Sequence, residues 1–268
     1  MKILVCCKQV PDTTEMKIDP VTNTLIRQGV PSILNTYDAY ALEQALQLKE
    51  KDPETTVTVI SMGPPQALSM LRDCLAVGAD KAYLVTDRKF GGSDTLATSY
   101  ILQTAIRYLS EKEGQYDLIC CGKQAIDGDT AQVGPEIAEQ LDIPQVTYGL
   151  HVEEQGDQKV HVTRELDDAK QIIEAQLPCL ITFTKTDELR YPTVKGKLQS
   201  YKADITSITF EELGADMDEA RIGLKGSPTR VKKTFTPQKS KNGLIITDRD
   251  ADVAVEKLVN ALHDQKLF

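Results

Sequence analysis

Residues 118–141, LICCGKQAIDGDTAQVGPEIAEQL, decide the fold of this chain. The apolar run Leu118–Cys121 is typical of a β-strand that is buried on both faces. A loop with two glycines follows it, and the composition of Thr130–Leu141 predicts a helix. A strand, a glycine-containing loop and a helix in succession form the repeating unit of α/β folds, and the start of such a helix can bind phosphate.

The same alternation of strand and helix occurs three times before this segment. The predicted strands are Ile3–Cys7, Val57–Ser61 and Ala82–Thr86, and the predicted helices are Asp38–Lys51, Pro65–Val77 and Ser93–Glu113. This order predicts an α/β fold with a doubly wound, mostly parallel, Rossmann-like sheet that carries helices on both faces. Right-handed crossovers would bring the loop after each strand to one edge, where such sheets bind ligands.

The pattern changes after Tyr148. Apolar and β-branched residues recur in His151–Glu154 and Lys159–Glu165, on either side of a QGDQ turn, and again in Ile172–Gln176 and Leu180–Thr184. These short runs predict a hairpin or meander, and therefore an antiparallel extension of the same domain.

The last part of the chain has its own composition. Arg221–Thr247 contains seven basic residues and no acidic residue, which predicts an extended arm. A closing amphipathic helix, Asp250–Asp264, has Val253, Leu258 and Leu262 on one side. We expect residues 1–220 to form a nucleotide-binding domain and residues 221–268 to form the arm and its helix. The helix could pack on another chain or fold back on its own domain.

Composition excludes several classes of function. The net charge of −9 argues against a nucleic-acid-binding protein, which needs a basic face. No apolar run approaches the roughly 18 residues of a membrane span, and the N-terminus lacks the features of a signal peptide, so we expect a cytoplasmic protein. The six cysteines form no C-x-x-C pair and the three histidines are scattered, which predicts reduced thiols and no metal site.

The loop GKQAIDGDTAQVGP, residues 122–135, is the strongest candidate for binding a phosphate. Gly128 would allow a tight turn, and Asp129 or Thr130 could cap the following helix. N–H groups near Ala131–Gly134 would then remain free for an anion, with Asp127 turned away from it. The alternative is an ordinary capped helix after a turn.

Three further segments could contact a nucleotide or could be ordinary turns and caps. They are the turn GGSDT (residues 91–95), the NTYD segment (residues 35–38) and Met62 after the second predicted strand. The pairs Lys8-Gln9 and Lys123-Gln124 each follow a Cys-Cys pair at a strand end, so they could line one cleft. The sequence contains neither G-x-G-x-x-G nor a P-loop, and no nucleophile stands beside a base. Such a chain would leave the chemistry to a cofactor.

Several of these segments together resemble the beta subunits of electron-transferring flavoproteins. The resemblance runs from KILVCCKQVPDT through NTYDAYALEQALQLKE, VISMGP, AVGADKAYLV and GKQAIDGDTAQVGP to VTREL and RYPTVKGK. In that family the beta subunit buries an adenine nucleotide under the loop that corresponds to residues 122–133. The cofactor-binding residues implied by the resemblance are Cys6, Asn35, Thr36, Tyr37, Asp38, Met62, Asp94, Thr95, Thr98, Gly122, Lys123, Gln124, Ala125, Asp127, Gly128, Asp129, Thr130, Ala131, Gln132 and Val133.

The loop sequence DGDTAQVGP is similar to the electron-bifurcating branch of the family, whose site holds FAD rather than AMP. The resemblance then implies that NADH delivers a hydride to this FAD. One electron would go to ferredoxin or flavodoxin and the other to the FAD of an alpha subunit. From there it would reach a flavin dehydrogenase of the acyl-CoA, enoyl-CoA or 2-hydroxy-acid type. A respiratory-type beta subunit with AMP is one alternative, and a stand-alone nucleotide-binding protein of the universal-stress type is another.

The resemblance also implies where partners bind. The stretch RYPTVKGK matches the family's loop for recognising partner proteins, which makes its first residues candidates for docking. These candidates are Arg190, Tyr191, Thr193, Val194 and Lys195. The basic arm and the closing helix would wrap onto the alpha subunit.

Overall fold

The structure is a computed structural model that describes residues 1–12, 31–186, 188–232 and 243–267. Its strands are β1 (Lys2–Cys6), β2 (Gln9–Pro11), β3 (Ser32–Leu34), β4 (Thr56–Met62), β5 (Lys81–Val85), β6 (Leu118–Gly122), β7 (Gln145–Gly156), β8 (Lys159–Glu165), β9 (Lys170–Gln176), β10 (Cys179–Phe183) and β11 (Thr206–Ile208). Its α-helices are α1 (Thr36–Lys51), α2 (Leu68–Val77), α3 (Thr95–Glu113), α4 (Val133–Leu141), α5 (Val194–Lys202), α6 (Phe210–Leu213), α7 (Gly223–Gly226) and α8 (Ala251–Asp264).

Nine of these strands form one sheet in the order β11-β5-β4-β1-β6-β10-β7-β8-β9. All pairs from β11 to β7 are parallel, whereas β8 pairs antiparallel with both β7 and β9. Strands β2 and β3 form a separate two-stranded sheet. The prediction of a mostly parallel sheet with an antiparallel extension is therefore confirmed.

Helices cover both faces of the sheet. Side chains of α1 and α2 pack with one face of β1 and β4, where Val5 and Val59 are fully buried. Side chains of α3 and α4 pack against the other face, around Leu4 and Ile119. Two apolar layers on opposite sides explain why the central strands are apolar throughout rather than alternating. The doubly wound fold is confirmed.

One predicted strand lies in a different part of the sheet. Leu180–Thr184 was expected to belong to the antiparallel meander, but β10 is a parallel strand between β6 and β7. Every residue of β10 is buried. The continuous apolar run CLITF is typical of a strand covered on both faces, whereas β8 alternates between buried and half-exposed residues.

All four helix starts in the first half of the chain differ from the prediction by two or three residues. Helix α1 begins at Thr36 rather than Asp38, and α2 begins at Leu68, after a 3₁₀ turn at Pro65–Ala67. The third helix begins at Thr95, because Asp94 is its N-cap. The fourth begins at Val133 rather than Thr130, and neither Asp129 nor Thr130 caps it. Loop residues before a helix can have helical composition without joining it, since three residues are too few to distinguish a loop from a first turn.

The contacts divide the chain into two units, residues 1–232 and 233–268. The first residues of the predicted arm therefore lie in the first unit, and Ile222 is buried there. In the second unit, α8 begins after its N-cap Asp250 and leaves Val253 and Leu258 exposed. Residues 233–242 of the arm lie outside the described residues. Within the described ranges, no helix has the length and apolar character to cross a membrane.

Candidate functional site

The sheet order places a crevice at the carboxyl ends of β1 and β6. The chain runs from β1 outward to β4 and β5 on one side, and then returns to place β6 on the other side of β1. Cys6 lies opposite Cys121 in the register of these two strands. Open α/β sheets bind ligands where the strand order reverses in this way. The loops after β1 and β6 therefore face the candidate site.

Asp38, in the first turn of α1, joins these two loops. Its Oδ2 accepts a hydrogen bond from the backbone N–H of Lys8 at 2.7 Å, and its Oδ1 accepts one from the N–H of Gly122 at 3.1 Å. Burial raises the pKa of the Asp38 carboxyl to about 7, although these N–H groups and Asn35 act to lower it. A buried carboxylate that accepts one N–H from each strand end fixes the two loops relative to each other.

Gly122 permits this close approach. A Cβ atom at this position would lie 2.7 Å from the backbone N of Asp38 and 2.7 Å from the carbonyl carbon of Tyr37. Both neighbours are backbone atoms at the start of α1, so they cannot move aside as a flexible side chain could. Only glycine allows the end of β6 to contact the helix here.

The loop after β6 is held by two side chains from other segments. The Asn35 amide is buried; its Nδ2 donates to the carbonyl of Gln124 at 2.8 Å, and its Oδ1 accepts the N–H of Ile126 at 3.1 Å. The Lys8 Nζ lies 2.6 Å from Oδ1 of Asp127, whose side chain is 6% exposed. The polar atoms of Asn35 and Asp127 are thus bound within the protein and shape the loop.

The tip of this loop is open to solvent. Gly128, Asp129, Thr130 and Gln132 are exposed, and Ala131 has a left-handed φ of 55°. A Cβ at Gly128 would meet no atom within 4 Å, and its φ is not among the positive values. Gly128 does end a tight turn, in which its N–H donates to the carbonyl of Ala125 at 3.3 Å, but this turn does not require a left-handed φ at Gly128. The absent side chain leaves open space at the loop tip.

Helix α4 begins beside this space without a side-chain cap. Its N-cap residue Gln132 makes no capping hydrogen bond to the helix. Its side chain instead accepts a hydrogen bond from the Thr95 hydroxyl at 2.9 Å. The first N–H groups of α4, on Val133 and Gly134, therefore have no side-chain cap in the part of the chain that the structure describes. Uncapped N–H groups at a helix start suit an anion such as phosphate.

The GGSDT turn borders the same loop, through the contact of Thr95 with Gln132. Asp94 caps α3 by accepting the N–H of Ala97 at 3.1 Å. Thr98, one turn into this helix, is partly exposed. The structure thus brings together the two segments that the sequence analysis proposed for nucleotide binding.

The remaining predicted contacts lie around this edge. Cys6 is buried beside Cys121, Thr36 is partly exposed at the start of α1, and Met62 is partly exposed at the end of β4. The Tyr37 ring lies edge-on to the ring of Tyr40, 6.1 Å between centroids.

The two Lys-Gln pairs do not line one cleft with their side chains. Lys123 lies over the ring of Tyr148, with its Nζ 4.9 Å from the centroid. The Gln9 amide donates to Ser69 at the start of α2, and Lys8 pairs with Asp127.

A second surface of interest is formed by α5 and by Tyr191, two residues before the α5 N-cap Thr193. Tyr191 is 92% exposed, Val194 80%, Leu198 61% and Tyr201 65%. Positions 194, 198 and 201 share one helix face, so these apolar side chains form a stripe. We call these four residues the α5 stripe. Leu198 and Tyr201 are not among the predicted docking residues, although their spacing from Val194 places them on the same helix face.

Two other predicted docking residues have structural contacts. The Arg190 guanidinium donates to both oxygens of Glu43, at 2.8 and 2.9 Å, and to Glu50 at 2.8 Å, so it anchors this loop to α1. The Thr193 hydroxyl caps α5 by accepting the N–H of Gly196 at 3.0 Å. Lys195 is exposed on the first turn of α5.

Helix α5 is fastened to α2. Arg72 donates to the carbonyl of Ser200 at 2.6 Å, and Lys197 lies 2.6 Å from Asp73. Gly196 lies so close to the carbonyl of Ala76 that any side chain would overlap it. The α5 stripe is therefore presented on a fixed helix.

Comparison with known proteins gives a consistent result. The family described as "Electron transfer flavoprotein domain" matches residues 22–213. The chain is 50% identical to the electron transfer flavoprotein subunit beta of Megasphaera elsdenii, over all of both chains. It is 48% identical to the caffeyl-CoA reductase-Etf complex subunit CarD of Acetobacterium woodii, over all of both chains. It is 46% identical to Protein FixA of Azotobacter vinelandii, covering 94% of this chain and 90% of that one.

Proposed function

This chain belongs to the family of electron transfer flavoprotein beta subunits, and we propose from that premise that it holds FAD at the carboxyl ends of β1 and β6. The chemistry that bound FAD supplies is acceptance of a hydride from NADH and its separation into single electrons. One electron would then be available to ferredoxin or flavodoxin, and the other to a dehydrogenase by way of the FAD of an alpha subunit.

The observation that carries this proposal is the open space at Gly128 beside the uncapped start of α4. AMP needs room for one phosphate, whereas FAD continues through a pyrophosphate to the flavin. A glycine whose missing side chain would meet no protein atom leaves room for that continuation. The N–H groups of Val133 and Gly134, at the start of α4 five residues later, suit the phosphate charge. The open space and these N–H groups together support a dinucleotide at this loop.

The chain's own side chains would act by binding and orientation. Asp38 and Asn35 hold the loops after β1 and β6 in place. The Lys8 ammonium pairs with Asp127 and so keeps that carboxylate away from a bound phosphate. Thr95, whose hydroxyl donates to Gln132 before α4, and Thr98 one turn into α3 would contact the part of the cofactor that follows the pyrophosphate.

The α5 stripe would dock the electron-accepting dehydrogenase. Exposed apolar and aromatic side chains on a rigid helix are typical of a binding surface, because their burial contributes affinity with little loss of entropy. A relative's name places it in a complex with a caffeyl-CoA reductase, which supports a flavin dehydrogenase as the partner. The acyl-CoA, enoyl-CoA and 2-hydroxy-acid types all remain candidates.

The arm and α8 would bind the alpha subunit. Helix α8 exposes Val253, Leu258 and other apolar side chains that would be covered in such a complex. The alternative function, a beta subunit that holds AMP instead of FAD, is distinguished by the nucleotide count described below. A stand-alone protein of the universal-stress type is not proposed, since the family match spans residues 22–213.

The test is to co-express the chain with its alpha subunit, denature the purified complex, and count the released nucleotides. Two FAD and no AMP per heterodimer are expected. One FAD and one AMP would overturn the proposal of bifurcation. In the complex with two FAD, anaerobic NADH should reduce flavin, and failure to do so would overturn the proposed hydride transfer.

Two variants at one position sharpen this test. Gly128→Asp should lower FAD content, because it places a negative charge in the space assigned to the pyrophosphate. Gly128→Ala is the matched control: it adds a methyl group at a position without a left-handed φ, so the fold should be unaffected. Full FAD occupancy in the Asp variant would show that the pyrophosphate lies elsewhere.

A further inference from the structure

The GGSDT turn is bound by a segment that lies about 130 residues later in the chain. The N–H of Asp94 donates to the Ser227 hydroxyl at 2.8 Å, and the N–H of Gly223 donates to the Ser93 hydroxyl at 3.0 Å. The Ser227 hydroxyl also lies 2.7 Å from the carbonyl of Gly223. We call residues 223–229 the latch, since they hold the turn from outside.

The latch also occupies the Asp94 carboxylate. Oδ2 of Asp94 accepts the backbone N–H of Thr229 at 2.9 Å and the Thr229 hydroxyl at 2.8 Å, while Oδ1 caps Ala97. Partial burial acts to raise the pKa of Asp94, but the hydrogen bonds from Ala97 and Thr229 outweigh it and hold the pKa below its ordinary value. Both carboxylate oxygens are thus bound within the protein. The Asp94 carboxylate thus links the start of α3 to the latch.

The residues before and within the latch are held in place by contacts with α3 and with the segment before the GGSDT turn. Arg221 lies over the ring of Tyr100 in α3, 3.8 Å from the centroid, and the N–H of Asp218 donates to the Tyr100 hydroxyl at 2.8 Å. Gly223 has a φ of 62°, which favours glycine, and its position against the carbonyl of Lys89 leaves no room for a side chain. The segment is therefore fixed to α3 on one side and to the turn on the other.

The GGSDT turn also contacts the loop before α4, because the Thr95 hydroxyl donates a hydrogen bond to Gln132. The latch therefore binds Ser93 and Asp94, and the adjoining residue Thr95 binds the loop before α4, so the turn connects the latch to the candidate cofactor site. Thr229, at the end of the latch, is only four residues before residue 233, where the second unit begins.

We propose that Thr229 is a positioning residue for the cofactor site: it binds the Asp94 carboxylate and so fixes the turn that places Thr95 against the loop before α4. The proposal rests on the proposed function in one respect, namely that a nucleotide binds at this edge of the sheet. It assigns residues 223–229 to the site rather than to the arm.

The first measurement is hydrogen exchange by mass spectrometry on the intact complex with the alpha subunit. Thr229→Val removes the hydroxyl and keeps the shape of the side chain, so amides of residues 92–98 should exchange about tenfold faster, equivalent to about 1.4 kcal/mol. Thr229→Ser keeps the hydroxyl and should restore the slow exchange. An unchanged exchange rate of residues 92–98 in the Thr229→Val variant would overturn the proposal that Thr229 fixes the turn.

The second measurement is the rate at which each complex releases its nucleotides on dilution. The Val variant should release the beta-site nucleotide about tenfold faster, and the Ser variant should behave as the native chain. Faster exchange with an unchanged release rate would show that the latch only stabilises the turn, and would overturn the positioning role. If the released nucleotide is AMP, the proposal that this chain holds FAD fails. The two measurements still test whether Thr229 positions the turn, because they do not depend on which nucleotide is bound.

Discussion

Replacing Asp38 with asparagine should change how stability depends on pH. The carboxyl is buried, and burial raises its pKa from 3.8 to about 7. In the unfolded chain the same group ionises near its ordinary pKa. Between about pH 4 and pH 7 the folded protein therefore retains a proton that the unfolded chain has lost, so the free energy of unfolding falls as the pH rises.

The two pKa values set the size of this effect. Each pH unit across the interval costs about 1.4 kcal/mol, so the native chain should lose about 4 kcal/mol of stability between pH 4 and pH 8 on account of Asp38. Asparagine does not titrate, so the variant lacks this loss. Whatever the variant's stability at pH 4, it should gain about 4 kcal/mol relative to the native chain by pH 8.

Urea unfolding of the purified native and variant chains at half-unit steps from pH 4 to pH 8 measures the difference. Asp117→Asn is a suitable control, because Asp117 also accepts a strand N–H, from Lys2 at 2.7 Å, but is partly exposed. A stability difference between native and Asp38→Asn that stays constant over this range would refute the reasoning. The Asp38→Asn variant should bind nucleotide less tightly at pH 8, because its NH2 group replaces one carboxylate oxygen and cannot accept the N–H that this oxygen binds.

Three other outcomes are expected. Arg190→Ala should destabilise the chain at pH 7 by about 2 kcal/mol, measured by urea unfolding, because the Glu43 carboxylate is left buried without its partner. This cost should shrink as the pH falls and Glu43 is protonated, and a cost that grows instead would contradict the assignment. Gly196→Ala should displace α5 from α2 and slow electron transfer to the dehydrogenase at least tenfold, with nucleotide content unchanged. Gly243→Ala, where a methyl group meets nothing, is its control. Removal of the residues after Thr247 should weaken assembly with the alpha subunit in size-exclusion chromatography, and stoichiometric co-elution of the shortened chain would count against a role for α8.

The sheet could be predicted from sequence because its signals are local. The apolar runs at β1, β4, β5 and β6 are bounded by polar loops and followed by helical segments, so strand type and order of elements followed directly. The position of β10 could not be found in this way. It depends on pairing between β10 and β6, whose residues are about 60 apart in the chain, and on helices that cover both faces.

The candidate site was likewise predictable from sequence only in part. The loop 122–133, the NTYD segment and the GGSDT turn were identified because glycines and capping residues follow predicted strands. Their roles were not all identified, because Asn35 and Asp38 use their polar atoms on backbone groups of other loops. Nothing in the local sequence around Thr229 indicates its contact with Asp94, which depends on the folding of residues 223–229 over the turn.

All six cysteines are buried, and this has a practical consequence for experiments on electron transfer. Hydrogen bonds with Cys74 and Cys6, together with burial, raise the pKa of the Cys7 and Cys121 thiols. Burial raises the pKa of Cys120 and raises that of Cys179 to about 12. Thiolates are the species that react with maleimides, so the native thiols should label slowly. A single cysteine placed on the exposed face of α5 or α8 could therefore carry a fluorescent or spin probe in the otherwise native chain. Distances between the subunits and their partners would then be measurable during turnover without removing any natural cysteine.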